Sequence, residues 1–183
     1  MDMRDNKIQN LTLTALMAAI LCIMGPIVIP IGMVPLSFAN MAIYLAIILL
    51  DKKKALISTT IYLLMGLVGI PVYSGFSAGA GKLLGPTGGY LIGYLALSFL
   101  GGILLEKRKC REKGKLFNQI MALSVGTLGL YLVGTVWLMY QSKLNLTTAL
   151  SVGVFPFVFF DIVKIILAIS IGNSIKRRLQ FLL

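Results

Sequence analysis

No charged side chain occurs in residues 8–50, which read IQNLTLTALMAAILCIMGPIVIPIGMVPLSFANMAIYLAIILL. A helix needs about 20 apolar residues to cross a hydrocarbon core of roughly 30 Å, so this run is long enough for two crossings. Pro26, Pro30 and Pro35 interrupt it near the middle, where proline breaks helical hydrogen bonding. The run therefore predicts a helical hairpin that turns at the far surface of a membrane.

The rest of the chain continues this pattern. Charge-free runs of membrane-spanning length also follow Lys54, Lys82 and Lys115. Apolar residues make up 58% of the 183 residues and charged residues 13%, and the mean hydropathy of +0.93 excludes an ordinary soluble domain. We predict an all-α integral membrane protein with one domain over residues 1–183 and six transmembrane helices. The predicted spans are 9–29, 37–50, 55–70, 84–105, 116–141 and 155–175. A membrane β-barrel would need alternating apolar and polar residues, and these runs are apolar on every side.

The basic residues cluster at one end of the predicted bundle. All of the 17 Lys and Arg residues except Lys82, Lys143 and Lys164 fall in four groups. The groups are Arg4 with Lys7, Lys52–Lys54, Lys107–Lys115 and Lys176–Arg178. Six spans place all four groups on one side, and cations accumulate in cytoplasmic loops. We therefore expect both termini in the cytoplasm, and we attribute the formal charge of +11 to topology in a lipid bilayer, not to binding of nucleic acid.

An acid and a base stand together in the last predicted span. Asp161 precedes Lys164 by three residues, so the two share one helix face. Ionisable groups inside a span are costly and usually face a cavity or a partner. With Pro156 in the first helical turn, they lie roughly 8 and 12 Å below the outer end. This predicts a small-molecule pocket open to the outside; the alternative is an ion pair that only fixes helix packing.

A glycine-rich segment covers residues 69–90, GIPVYSGFSAGAGKLLGPTGGY. Irregular backbone at membrane depth is tolerated where it is buried or lines a cavity, and glycine lets a backbone approach a ligand closely. Pro71 and Pro86 argue against one continuous helix between them. The alternative is close helix packing through small residues, which suits Gly88, Gly89 and Gly93.

The same segment does not fit a nucleotide or catalytic site. A P-loop needs Gly where Phe76 stands and Ser or Thr where Leu83 stands, so we expect no ATP hydrolysis. The chain has no histidine to activate a serine, although a serine–lysine hydrolase using Lys82 or Lys164 stays as an alternative. The two cysteines stand far apart, which argues against zinc. We predict no catalytic residue, metal or cofactor.

One combination of motifs is far more specific than its parts. It consists of Val72-Tyr73-Ser74-Gly75, then Gly85-Pro86-Thr87-Gly88-Gly89-Tyr90, then Gly153-Val-Phe-Pro156-Phe157 with Asp161 and Lys164. Together these residues resemble the BioY family of biotin-binding S components of energy-coupling-factor (ECF) transporters. The resemblance implies a multi-pass subunit of the bacterial plasma membrane that captures biotin from outside. It also implies two kinds of partner, a membrane-embedded coupling (T) subunit and two cytoplasmic ATPase (A) subunits, so the chain itself is not expected to be an enzyme.

The resemblance and the chemistry of biotin give the expected binding residues. Biotin offers two ureido N–H donors, one carbonyl acceptor and a carboxylate, which suit one acid and one cation. Asp161 is the candidate acceptor for the ureido N–H groups and Lys164 the candidate partner of the carboxylate, although the roles could be exchanged. Further candidates are the backbone and hydroxyl groups of Ser77, Ala78 and Gly79, and the apolar walls Tyr73, Tyr90, Phe38 and Phe157.

A separate surface is expected to meet the coupling subunit. Ala15 and Ala19 in the first span match the alanine-spaced docking motif of S components. Small residues four apart let any two membrane helices approach, so packing within the chain is the alternative. Two rival functions also remain, an S component for another vitamin and a small membrane enzyme or channel that uses the same polar pocket.

Overall fold

The computed structural model describes residues 3–30, 34–108 and 114–182. Within these residues the chain forms eight helices and one two-stranded antiparallel sheet. The helices are α1 (Met3–Met24), α2 (Ala39–Leu49), α3 (Lys52–Leu67), α4 (Ala80–Leu84), α5 (Gly88–Arg108), α6 (Lys115–Ser142), α7 (Leu146–Gly153) and α8 (Phe155–Leu182). The strands are β1 (Val28–Ile29) and β2 (Leu36–Ser37).

Six helices, α1, α2, α3, α5, α6 and α8, correspond one to one with the predicted spans. Three segments of the described chain are long and apolar enough to cross a membrane by themselves, namely Gly88–Lys107, Lys115–Ser142 and Leu146–Arg178. Ile8–Met24 and Ala39–Leu49 are apolar but shorter. The prediction of a helical membrane protein is confirmed, and the count of six crossings agrees with the bundle.

The outer surface of the bundle is apolar. Large aliphatic side chains point away from the core along α6 and α8, among them Leu128, Leu132 and Val136 on α6 and Ile162 and Ile166 on α8. A soluble monomer rarely exposes so large an apolar surface. In a bilayer these side chains face lipid, and the polar groups of the backbone are satisfied within the helices.

The proline-containing interruption after α1 folds into a small hairpin that the sequence did not predict. β1 pairs with β2 in the register Val28 with Ser37 and Ile29 with Leu36. The Ser37 hydroxyl donates to the Gly25 carbonyl at 3.2 Å and accepts from the Ala39 amide at 3.0 Å. The hairpin is thereby fixed between the end of α1 and the start of α2, and it shortens α2 to 11 residues.

The glycine-rich segment is broken as its prolines predict. Residues 68–79 are irregular, the short α4 follows, and α5 begins at Gly88. Gly75 and Gly79 have φ of 70° and 85°, a left-handed conformation that favours glycine. Further along, α5 packs closely on α6, because a Cβ added to Gly93 would lie 2.8 Å from Leu130 Cδ1 and one added to Gly89 would overlap Trp137. Close helix packing through small residues therefore applies to Gly89 and Gly93, whereas residues 68–79 form irregular backbone.

Contacts between helices bring the start of α3, the end of α5, the start of α6 and the second half of α8 to one end of the bundle, and Lys109, Arg111 and Lys113 lie outside the described residues. Lys52 Nζ lies 3.0 Å from Glu106 Oε2, which joins the start of α3 to the end of α5. The amides of Gln119 and Asn173 exchange two hydrogen bonds of 3.0 Å, so the second half of α8 lies beside the start of α6. The Ser58 hydroxyl donates to the Thr14 carbonyl at 2.9 Å, beside the first half of α1. This cation-rich end is the cytoplasmic one.

Candidate functional site

A cavity lies near the opposite end of the bundle, between β2 and the outer parts of the long helices. It encloses about 340 Å³, its open mouth included. Its lining residues come from the hairpin and from α2, α5, α6, α7 and α8. They are Val34, Pro35, Leu36, Ser37, Asn40, Tyr90, Tyr94, Leu130, Tyr131, Gly153, Phe157, Asp161 and Lys164.

Asp161 forms the polar centre of this cavity. Its side chain is only 2% exposed and accepts hydrogen bonds from three other helical residues. The Asn40 amide of α2 lies 3.3 Å from both carboxylate oxygens. The Tyr131 hydroxyl of α6 donates to Oδ2 at 2.6 Å, and Lys164 Nζ lies 3.2 Å from Oδ1. Hydrogen bonds from donors directed at a carboxylate are charge-assisted, and they fix the position of its oxygens.

Lys164 connects the acid to the hairpin. Its side chain is 5% exposed, and Nζ donates to the Ser37 carbonyl at 2.8 Å as well as to Asp161. Nζ also lies 5.8 Å from the centre of the Phe38 ring, within the range of a cation–π contact. An ammonium group has three donors, and the contacts with Ser37 and Asp161 use two of them. The arrangement resembles a receptor for a ligand that carries both donors and acceptors.

The local sequence of α8 explains why these two side chains face inward together. α8 begins at Phe155, and Pro156 occupies its first turn. Proline is favoured there, because a backbone N–H in the first turn has no acceptor within the helix. From there Phe157, Asp161 and Lys164 follow at intervals of four and three residues, which places them on one face. All three are buried, whereas Ile162 is exposed.

Aromatic rings form the sides of the cavity. The Tyr90 hydroxyl donates to the Gly153 carbonyl at 3.1 Å. A Cβ added to Gly134 or Gly153 would overlap the Tyr90 side chain, so these glycines leave the space in which the tyrosine lies. Together with Tyr94, Tyr90 gives the cavity an apolar wall beside its charged centre, as in most small-molecule sites.

The structure brings together some of the residues that the sequence singled out. Asp161, Lys164, Tyr90 and Phe157 line the cavity, and Phe38 lies next to it through its contact with Lys164. No residue before Tyr90 in the glycine-rich segment is among the lining residues.

Tyr73 and its neighbours occupy a different place. Tyr73 is fully buried, its hydroxyl donates to the Leu63 carbonyl, and its ring fills the space left by Gly66. The Ser77 hydroxyl donates to the Ser74 carbonyl at 2.8 Å, and the Gly79 amide donates to the Gly66 carbonyl at 2.7 Å. The left-handed glycines thus turn the segment back onto α3, so Ser77 and Gly79 bond to the protein itself, and Ala78 lies between them.

Four cavity residues with hydrogen-bonding side chains were not predicted from the sequence, namely Ser37, Asn40, Tyr94 and Tyr131. Asn40 could have been identified from the sequence, because it is the one side-chain amide in the predicted span 37–50. A polar group that enters a membrane helix has to find a partner. Tyr131 could not have been identified in this way, because tyrosine is common in membrane spans as a packing or interfacial residue.

Ala15 and Ala19 lie outside the site, on the exposed face of α1. Leu11, Leu16 and Ile23 on the same helix are also exposed. Among the described residues no other helix covers this face, so the two alanines do not serve packing within the chain there. Within the same residues no cluster of three His, Cys, Asp or Glu side chains could hold a metal ion.

Comparison with known proteins gives one consistent match. The sequence model of the BioY family matches residues 1–181. The biotin transporter BioY2 of Lactococcus lactis subsp. cremoris is 36% identical over 178 residues, covering 97% of this chain and 96% of that protein. The biotin transporter BioY of Thermotoga maritima is 32% identical over 169 residues, with coverage of 92% and 96%.

A solved structure agrees in fold as well as in sequence. The crystal structure of the S-component for biotin from an ECF-type ABC transporter superposes with a TM-score of 0.88 and 33% identity, covering 97% of this chain and 95% of that one. The family match extends over nearly the whole chain, and the chain therefore belongs to the BioY family.

Proposed function

We propose that this protein is the biotin-binding S component of an ECF-type ABC transporter in the bacterial plasma membrane. The observation that carries the proposal is the buried pair Asp161 and Lys164, which opens onto a cavity at the outer end of the bundle. Family membership supports biotin as the ligand, because relatives that match over most of their length are named biotin transporters.

The groups that line the cavity are complementary to biotin. Asp161 is a buried acceptor for the ureido N–H groups, and Lys164 is a donor for the carboxylate or the ureido carbonyl. Tyr90, Tyr94 and Phe157 provide apolar surface for the fused rings and the tail. Burial of the polar ends gives specificity, since a ligand without matching groups would displace the present partners of Asp161 or Lys164 without replacing them.

Transport requires partners. The chain shows no P-loop, so we attribute ATP hydrolysis to two cytoplasmic A subunits and the connection to them to a membrane-embedded T subunit. The exposed face of α1 with Ala15 and Ala19 is our candidate for docking the T subunit, because small side chains let another helix approach closely.

Calorimetry with purified protein tests the proposal. Biotin should bind, and Asp161→Asn should weaken binding about 10- to 150-fold, because a hydrogen bond to a charged group contributes about 1.5–3 kcal/mol. The control is Lys143→Asn, which removes an exposed cation outside the cavity. The backbone φ of Lys143 is 52°, a conformation that asparagine tolerates. An unchanged dissociation constant in Asp161→Asn would exclude this role for the acid.

The rival functions predict other results. An S component for another vitamin would show no heat with biotin and would bind the other compound in the same cavity. A channel or membrane enzyme would give flux or turnover in liposomes without ATPase partners.

A further inference from the structure

Tyr131 makes the shortest hydrogen bond to Asp161. Its hydroxyl lies 2.6 Å from Oδ2, whereas Asn40 and Lys164 lie at 3.3 and 3.2 Å from the carboxylate. A separation of 2.5–2.7 Å is typical of a hydroxyl that donates to an ionised oxygen, a bond roughly twice as strong as a neutral one. The hydroxyl therefore contributes most to the orientation of the carboxylate.

The acceptor sites of Asp161 are already filled. A carboxylate has about four lone-pair sites. In this structure Oδ2 contacts Tyr131 and Asn40, and Oδ1 contacts Lys164 and Asn40. A ligand N–H can reach the carboxylate only if one of these donors withdraws, and the long contacts of Asn40 are weaker than that of Tyr131.

We infer that Tyr131 is a positioning residue, which keeps Oδ2 occupied and holds the carboxylate in place while ligand N–H groups replace a weaker donor. This inference rests on the proposed function, since it assumes that Asp161 accepts from the ligand. Tyr131 acts through Asp161 and therefore sets the affinity for ligands with N–H donors. The competing explanation is structural, since the same bond also joins α6 to α8.

A double-mutant cycle tests whether the Tyr131 hydroxyl affects affinity through the Asp161 carboxylate. Tyr131→Phe removes only the hydroxyl, and we expect biotin to bind about 10-fold more weakly. In the Asp161→Asn background the same substitution should change affinity by less than about twofold, because the group it orients is gone. The matched control is Tyr140→Phe on the same helix, whose side chain is 83% exposed and whose loss should leave affinity unchanged.

A second measurement needs no ligand. The carboxylate stretching band of Asp161, assigned in the infrared spectrum by its loss in Asp161→Asn, should shift in Tyr131→Phe and not in Tyr140→Phe. Equal losses of affinity in both backgrounds, or an unshifted band, would overturn the inference. If the unmodified protein does not bind biotin, the proposed function fails, and the band alone then decides whether Tyr131 positions Asp161.

Discussion

Lys164→Met tests the energetics of the buried pair. The substitution shortens the unbranched side chain by one atom and removes its charge, leaving Asp161, which is 2% exposed, without its cation. Breaking a buried ion pair from one side costs about 3–5 kcal/mol, because the remaining charge is uncompensated. Asn40 and Tyr131 still donate to the carboxylate, so we expect a loss near the lower bound, about 3 kcal/mol.

Unfolding in mixed detergent micelles measures this loss. The single tryptophan, Trp137, reports the transition, because its indole N–H donates to the Gly85 carbonyl at 3.0 Å and so senses the packing of α6 against the glycine-rich segment. The double variant Asp161→Asn/Lys164→Met should recover most of the stability, since neither charge is then buried alone. It should not recover biotin binding.

Two results would refute this reasoning. A Lys164→Met protein as stable as the unmodified one would mean that water or a proton compensates Asp161 without cost. A double variant that still binds biotin tightly would mean that the pair only fixes helix packing, which is the alternative left open by its spacing in the sequence.

Two further substitutions test other parts of the molecule. Replacing Ala15 and Ala19 together by leucine should keep biotin affinity within about twofold while it abolishes uptake in cells that also produce the T and A subunits, and an equal loss of both activities would contradict a docking role. In Gly134→Val the new side chain should overlap the Tyr90 ring, which should cost about 1–3 kcal/mol of stability and weaken biotin binding. The control is Gly81→Ala, where an added Cβ meets nothing within 4 Å, and it should change neither stability nor affinity. Unaltered affinity in Gly134→Val would show that the position of the ring is unimportant.

The positions of the six helices that correspond to the predicted spans could be predicted because lipid restricts the choice of structure. A chain without charges over 18 or more residues has to form helices there, and prolines indicate where they end. The β1–β2 hairpin could not be predicted, because two-residue strands depend on tertiary packing, here the bonds of Ser37 to Gly25 and Ala39. The short α7 was missed for the same reason.

From local spacing alone, the candidate site was predictable only along a single helix. The spacing of Asp161 and Lys164 placed them on one face, and the structure has them 3.2 Å apart. Their partners Asn40 and Tyr131 come from helices 121 and 30 residues away in the chain, a separation that no local pattern covers. The path of the backbone through the glycine-rich segment could not be predicted either, because glycine adopts positive and negative φ with similar ease.

The reciprocal amide pair of Gln119 and Asn173 restricts how α6 and α8 can move relative to each other. Twelve residues separate Gln119 from Tyr131 on α6, and twelve separate Asp161 from Asn173 on α8, so two sets of hydrogen bonds join these antiparallel helices about 18 Å apart. Sliding one helix past the other by a turn, about 5.4 Å, would break both sets at once. A piston-like movement of α8 along α6 is therefore disfavoured, whereas a tilt of both helices as one rigid unit keeps both sets of hydrogen bonds.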